Sequence, residues 1–370
     1  MTLRYALLGG GMMGREHIRN LALIPDAEVI AVAEPNAEMQ KRCRTLLPTA
    51  DIVGSLDDLL KIPNIDALII ATPNYQHANQ LLSLLEKTAL PILVEKPLVT
   101  EKDDVLRIRE AAARHSAPVW VAMEYRYIPP LERFIERLPE IGELQSLVIR
   151  EHRYPFLKKV DDWNRFNRNS GGTLVEKCCH FFDLFRLIMK EEVAHVYAST
   201  GQNCNHLNET YYGETPDIID NAFVTMGFAS NRRALLDLNM FAEGSGYEEE
   251  ICAVGTTAKL ECLIPGPEIT WADDGPMPEP MVVFSPRRPR APRQERIAVD
   301  EKLQQAGAHH GSTYFEHLGF KRAVESGGPV EVSIEDGLKA VVIGMAAQTS
   351  AAHNKVVELF DEGLDFRISL

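Results

Sequence analysis

Leu3-Arg4-Tyr5-Ala6-Leu7-Leu8 runs directly into Gly9-Gly10-Gly11-Met12-Met13-Gly14. The stretch reads as a short apolar strand, a G-x-G-x-x-G turn and the mouth of a helix. In that arrangement Gly9 permits the tight turn, Gly11 lets a pyrophosphate approach the backbone, and Gly14 lets the helix pack closely on the strand. The free amides at the positive end of the helix, around Met12 and Met13, then face the phosphates. The next apolar run, Val29-Ile30-Ala31-Val32-Ala33, ends in Glu34, 20 residues after Gly14. A carboxylate there would bind the adenosine ribose 2′- and 3′-hydroxyls.

Working outward, the first third of the chain alternates apolar strands (3–8, 27–33, 49–53, 66–71, 91–95, 117–122) with helical patterns (13–24, 36–47, 55–61, 76–87, 101–115). The strands are apolar on both faces, as expected of a buried parallel sheet flanked by helices. This predicts an α/β, doubly wound domain over residues 1–123, with ligands beyond the carboxyl ends of its strands. The pattern then changes. Arg126-Tyr127-Ile128-Pro129-Pro130-Leu131 leads into a helix, and alternating segments follow at 144–150, 193–199, 221–228 and 233–241. Residues 124–370 therefore read as an α+β domain with an open, mostly antiparallel sheet. Helices should cover one sheet face, and the other is a candidate interface between copies.

Composition sets bounds. The chain has 370 residues, enough for two domains, and a net charge of −14, which disfavours nucleic acid or an anionic membrane as partner. It has no run of 18 apolar residues, so no transmembrane helix is expected. With the first strand beginning at Leu3, no secretory signal is expected. Six cysteines lack C-x-x-C spacing and read as reduced thiols of a cytoplasmic protein. The basic, proline-rich run at 286–293 reads as an anion-binding arm or a stiff loop between two strands.

Two constellations carry chemistry. Thr72-Pro73-Asn74 with His77, and Glu95-Lys96-Pro97, fall at strand carboxyl ends on the side where the glycine loop would hold the cofactor, and Thr72, Pro73, Asn74, His77, Glu95 and Lys96 are expected to contact it. A lysine there, partly desolvated beside a cationic ring, would have a lowered pKa and could serve a substrate oxygen. In the second domain, Gly171-Gly172 opens a helical pattern in which Glu176 and His180 are spaced to share a face. A histidine can take a hydroxyl proton near neutrality, and a carboxylate can orient its ring. Consecutive Cys178, Cys179 and His180 on one helix cannot all face a single ion, so no metal site is expected.

These pieces resemble the Gfo/Idh/MocA family of nicotinamide-dependent oxidoreductases. The resemblance rests on residues 9–14, 71–74 with His77, Glu95-Lys96-Pro97, Arg126 with Pro130, Gly171-Gly172 through His180 and Asp183, and later segments at 254–256, 315–317 and 336–350. It implies a Rossmann domain and an open-sheet domain that forms homodimers or homotetramers, acting on sugars or cyclic polyols. It maps the family lysine to Lys96. The family Asp-x-Gly-x-His maps to Glu176, Cys178 and His180, departing at the first two. His180 is thereby the expected general acid/base, Lys96 its partner, and Glu176 their support. The pocket is expected to be walled by Arg126, Trp163, His180 and Tyr314 within 309–314. Two other readings are redox-assisted elimination or glycoside cleavage with recycled nicotinamide, and a non-catalytic cofactor-binding regulator. Glu34 would repel a 2′-phosphate, so NAD is expected over NADP unless Lys41 and Arg42 fold back toward it.

Overall fold

A computed structural model describes residues 2–267 and 277–369. Strands β1 Leu3–Leu8, β2 Ala27–Ala33, β3 Asp51–Val53, β4 Ala67–Ile70, β5 Ile92–Glu95 and β6 Val119–Ala122 form one parallel sheet, ordered β3-β2-β1-β4-β5-β6. Half of the sheet is wholly buried: every residue of β4, β5 and the terminal strand β6 is shielded from solvent. That is the physical reason for their unbroken apolar runs. The order reverses between β1 and β4, which opens a crevice at their carboxyl ends.

The second sheet comprises β7 Leu144–His152, β8 Val193–Gly201, β9 Asn221–Phe228, β10 Arg233–Asn239, β11 Glu249–Gly255, β12 Ala258–Ile264, β13 Met281–Pro286, β14 Arg293–Arg296, β15 Val357–Phe360 and β16 Asp365–Ile368. Its order is β14-β13-β12-β11-β7-β10-β9-β8-β15-β16. All neighbours pair antiparallel except β7 and β10, which run parallel. Helices Cys179–Met189 and Ile334–His353 cover the inner face, where Val196, Val224, Leu236 and Ile251 are buried. Tyr197, Phe223 and Val254 are exposed on the alternate face. Residues 287–292 join paired β13 and β14, so the basic proline-rich run is a hairpin connection.

One expected element divides. The predicted helix after Gly171-Gly172 is two helices, Thr173–Glu176 and Cys179–Met189, with a turn at Lys177 and Cys178 between them. Glu176 and His180 therefore do not share a continuous helix face.

Candidate active site

The crevice between β1 and β4 widens into a cavity of about 470 Å³, running from the glycine loop to the second domain. At one end, β1 stops at Leu8 and the chain turns at Gly9, whose φ is +96°. Gly9 N donates to Ala33 O at 2.9 Å, tying the turn to the end of β2. A Cβ on Gly14 would collide with the carbonyl of Gly9, so this position holds the helix Met12–Leu21 against the turn only as glycine. A Cβ on Gly11 would project into open space on the cavity wall. The helix has no side-chain cap and no acid in its first turn, leaving its first amides free. Open backbone, free amides and a helix dipole suit a dinucleotide's pyrophosphate.

Glu34 is buried on the same wall, where Gly10 N donates to one carboxylate oxygen at 2.7 Å and Asn36 N to the other at 2.8 Å. The residue expected at the ribose thus also braces the glycine loop. Thr72, Pro73, Asn74 and His77 line the wall after β4. The ring nitrogens of His77 lie 2.8 Å from Pro97 O and 2.8 Å from Thr72 O, clamping the loops after β4 and β5 together. Burial lowers its pKa, opposed by the two carbonyl contacts, which both nitrogens can satisfy as donors only when the ring is protonated. Asn74 Nδ2 donates to Ser170 O at 3.1 Å, joining this wall to the second domain.

At the other end β5 delivers Glu95 and Lys96. Glu95 is buried, 3.0 Å from His17 Nε2, and accepts from Lys96 N at 3.1 Å; His17 Nδ1 lies 2.9 Å from His317 Nε2. This network fixes the backbone of Lys96 and leaves its ammonium free to cross the cavity. Lys96 Nζ donates to Glu176 O at 3.2 Å. Glu176 lines the wall too, and its Oε2 is sealed from solvent without a hydrogen-bond partner. Burial raises the carboxyl's pKa, opposed by the charges of Lys159 and Lys96. Trp163 closes this end, its ring 6.3 Å from that of Tyr75 and 5.1 Å from Lys159 Nζ.

His180 stands behind the wall rather than on it. Its ring stacks on Tyr125, with centroids 4.1 Å apart and planes 10° from parallel. Its Nδ1 is buried without a partner, so Glu176 does not orient it as expected. Burial, then the charges of Lys96 and Lys177, hold its pKa well below the usual imidazole range. Lys177 Nζ donates to the Tyr125 hydroxyl and pairs with Glu151 at 2.6 Å, fixing the stacking partner.

Two expected wall residues lie elsewhere. Arg126 donates through Nε to Asp183 at 2.6 Å and through Nη1 to Glu331 O at 2.7 Å. It is a buried structural ion pair, because Asp183 on the following helix reaches it first. Tyr314 packs edge-on against Phe315 at 5.4 Å, on the helix Ser312–Ser326, and does not line the cavity. His309 and His310, from the same run, line a smaller space with Tyr125, Arg153, Glu248 and Glu249. The cavity instead holds Lys158, Lys159 and Asp161, which sequence reasoning missed. The adjacent Lys158-Lys159 pair, just upstream of Trp163, was the available signal.

Residues 3–123 match the description "Oxidoreductase family, NAD-binding Rossmann fold", and residues 137–359 match its "C-terminal alpha/beta domain". The myo-inositol 2-dehydrogenase of Thermotoga maritima is 26% identical over 361 residues, covering 96% of this chain and 98% of that protein. In solved structures, a levoglucosan dehydrogenase complexed with NADH superposes with a TM-score of 0.80 at 21% identity, covering 97% of this chain and 99% of that one. A myo-inositol dehydrogenase from Corynebacterium glutamicum gives 0.75 at 22% identity, covering 97% and 99%. The glycine loop, the Glu-Lys-Pro strand end and both matched domains place this chain in the Gfo/Idh/MocA family of NAD(P)-dependent oxidoreductases.

Proposed function

We propose that the chain is an NAD-dependent dehydrogenase that oxidises a hydroxyl-bearing carbon of a sugar or cyclic polyol, or reduces the corresponding ketone. The observation that carries this reading is that one cavity holds the glycine loop, Glu34, Lys96 and Glu176. Bound NAD supplies the hydride acceptor. The loop amides and Gly11 hold its pyrophosphate, and Glu34 takes the ribose hydroxyls. The buried carboxylate of Glu34 on that wall supports NAD over NADP, since it would repel a 2′-phosphate. Lys96 donates to the substrate oxygen and helps to move its proton. Glu176 Oε2, lacking a partner, accepts a hydrogen bond from a neighbouring hydroxyl. His180, stacked on Tyr125 behind the wall, does not line the cavity, and its role as onward proton acceptor rests on the family resemblance alone. The exposed residues Tyr197, Phe223 and Val254 support burial of the outer sheet face in a homodimer or homotetramer; a monomer by light scattering at micromolar concentration would contradict this part.

The test is a panel of sugars and cyclitols with NAD and NADP, followed by nicotinamide absorbance. At least one should give turnover, with kcat/KM higher for NAD. No turnover across the panel, with cofactor bound, would oppose the dehydrogenase reading. Preference for NADP would oppose the assignment of Glu34.

A further inference from the structure

Five cationic side chains line the cavity: Arg15, Arg42, Lys96, Lys158 and Lys159. Four are engaged. Arg15 donates to Gly10 O at 2.8 Å, Arg42 pairs with Glu38 at 3.3 Å, Lys96 donates to Glu176 O at 3.2 Å, and Lys158 pairs with Asp162 at 3.5 Å. Lys159 differs. Among the described residues its ammonium has no hydrogen bond and no carboxylate within ion-pairing distance; its one contact is the face of Trp163, at 5.1 Å. Glu176 and Asp161 line the same wall, and neither pairs with it.

Lys159 is half-buried, and partial burial without a paired counter-charge both disfavours the ammonium and lowers its pKa. A bound anion would remove both effects. The cofactor's phosphates are not the natural candidate. Lys159 Nζ stands over Trp163, which closes the reacting end, whereas the pyrophosphate cradle lies at residues 9–14.

We propose that Lys159 is a specificity-determining residue that binds a carboxylate on the substrate, so that the preferred substrate is a sugar acid or cyclitol acid rather than a neutral polyol. The inference rests on the dehydrogenase reading above for the position of the reacting carbon. A carboxylate matches better than a phosphate. Lys159 offers one compact charge, and the two cavity-lining arginines, whose forks suit a dianion, lie at the Glu34 end and not beside it. The pocket's other features suit the rest of such a molecule. The ring of Trp163 offers an apolar surface for C–H groups, and Glu176 Oε2 accepts a hydroxyl.

The test uses matched pairs, glucose with glucuronate and galactose with galacturonate, plus glucose 6-phosphate. Each is titrated calorimetrically into protein loaded with NADH, where oxidation cannot proceed, and assayed separately with NAD. Hexuronates should bind about tenfold or more tightly than their neutral partners, as a charge-assisted hydrogen bond implies. Lys159→Met should abolish that preference while leaving the affinities for neutral sugar and NADH unchanged, and Lys159→Arg should retain most of it. Equal or tighter binding of neutral sugars overturns the proposal. So does tighter binding of glucose 6-phosphate, equal weakening of both classes by Lys159→Met, or no hexuronate binding. Selective hexuronate binding without NADH formation from any compound would sink the dehydrogenase reading and leave the carboxylate site standing. Faster NADH formation from neutral sugars would do the reverse.

Discussion

The two ends of the cavity are built differently. At the nucleotide end the polar side chains are already engaged by the protein: both oxygens of Glu34 accept backbone amides, and both nitrogens of His77 face carbonyls. At the reacting end, Glu176 Oε2 and His180 Nδ1 are buried without partners, and the ammonium of Lys159 has only an aromatic face. Buried polar groups in folded proteins are nearly all hydrogen-bonded; unpartnered atoms also occur away from the cavity, as at Trp120, Glu316 and His317, so it is the place of Glu176 on the cavity wall that marks its Oε2 for a substrate. The contrast fits a cofactor site that is preformed and a substrate site whose bonding is completed by the substrate.

Substitutions can separate the two ends. The largest effect is expected for Lys96→Ala. General acid–base assistance is typically worth about 10²–10⁴-fold, and kcat should fall within that range. The Kd for NAD should change little, because Lys96 Nζ faces Glu176 and not the glycine loop. Equal damage to both quantities would show that the ends do not act separately. For His180→Ala, kcat should fall by about 10²-fold, again with NAD binding retained. Turnover near wild type would remove His180 from the scheme and leave Lys96 acting through water.

Glu34→Ala probes the preformed end. Loss of a charged hydrogen bond to the ribose should reduce the NAD:NADP ratio of kcat/KM about tenfold. Because Glu34 also holds Gly10 N, NAD binding itself should weaken in direct titration. The smallest expected effect is on stability. Burial holds the pKa of Glu176 above its unfolded value. Its contribution to stability is therefore greatest below the unfolded pKa and is lost as pH rises through the folded one. Glu176→Gln should raise Tm by a few degrees at neutral pH while lowering turnover, and the gain should shrink in acid. An unchanged or lower Tm at neutral pH would mean that the carboxylate is satisfied in solution.

Much of this was legible in the sequence. The first sheet announced itself because doubly buried strands must be apolar throughout, and the glycine loop because its backbone geometry excludes side chains. Lys96 stood out only once its place after a Rossmann strand was joined to the Glu-Lys-Pro resemblance. What stayed hidden depended on contacts between distant segments. Nothing local tells that Asp183 captures Arg126, or that His17 and His317 meet behind Glu95. Spacing alone put Glu176 and His180 on one face, but the turn at Lys177 and Cys178 separates them. Lys159 lies in a segment without helix or strand periodicity, where position cannot be read from a repeat.

The most direct test of the central claim is a crystal structure of the chain with NADH and its best substrate. The account predicts that the substrate lies between Lys96 and Glu176, with Glu176 Oε2 and Lys159 Nζ each within hydrogen-bond distance of a substrate oxygen and no rearrangement around Glu34. A substrate bound away from these groups, with both still unpartnered, would contradict it.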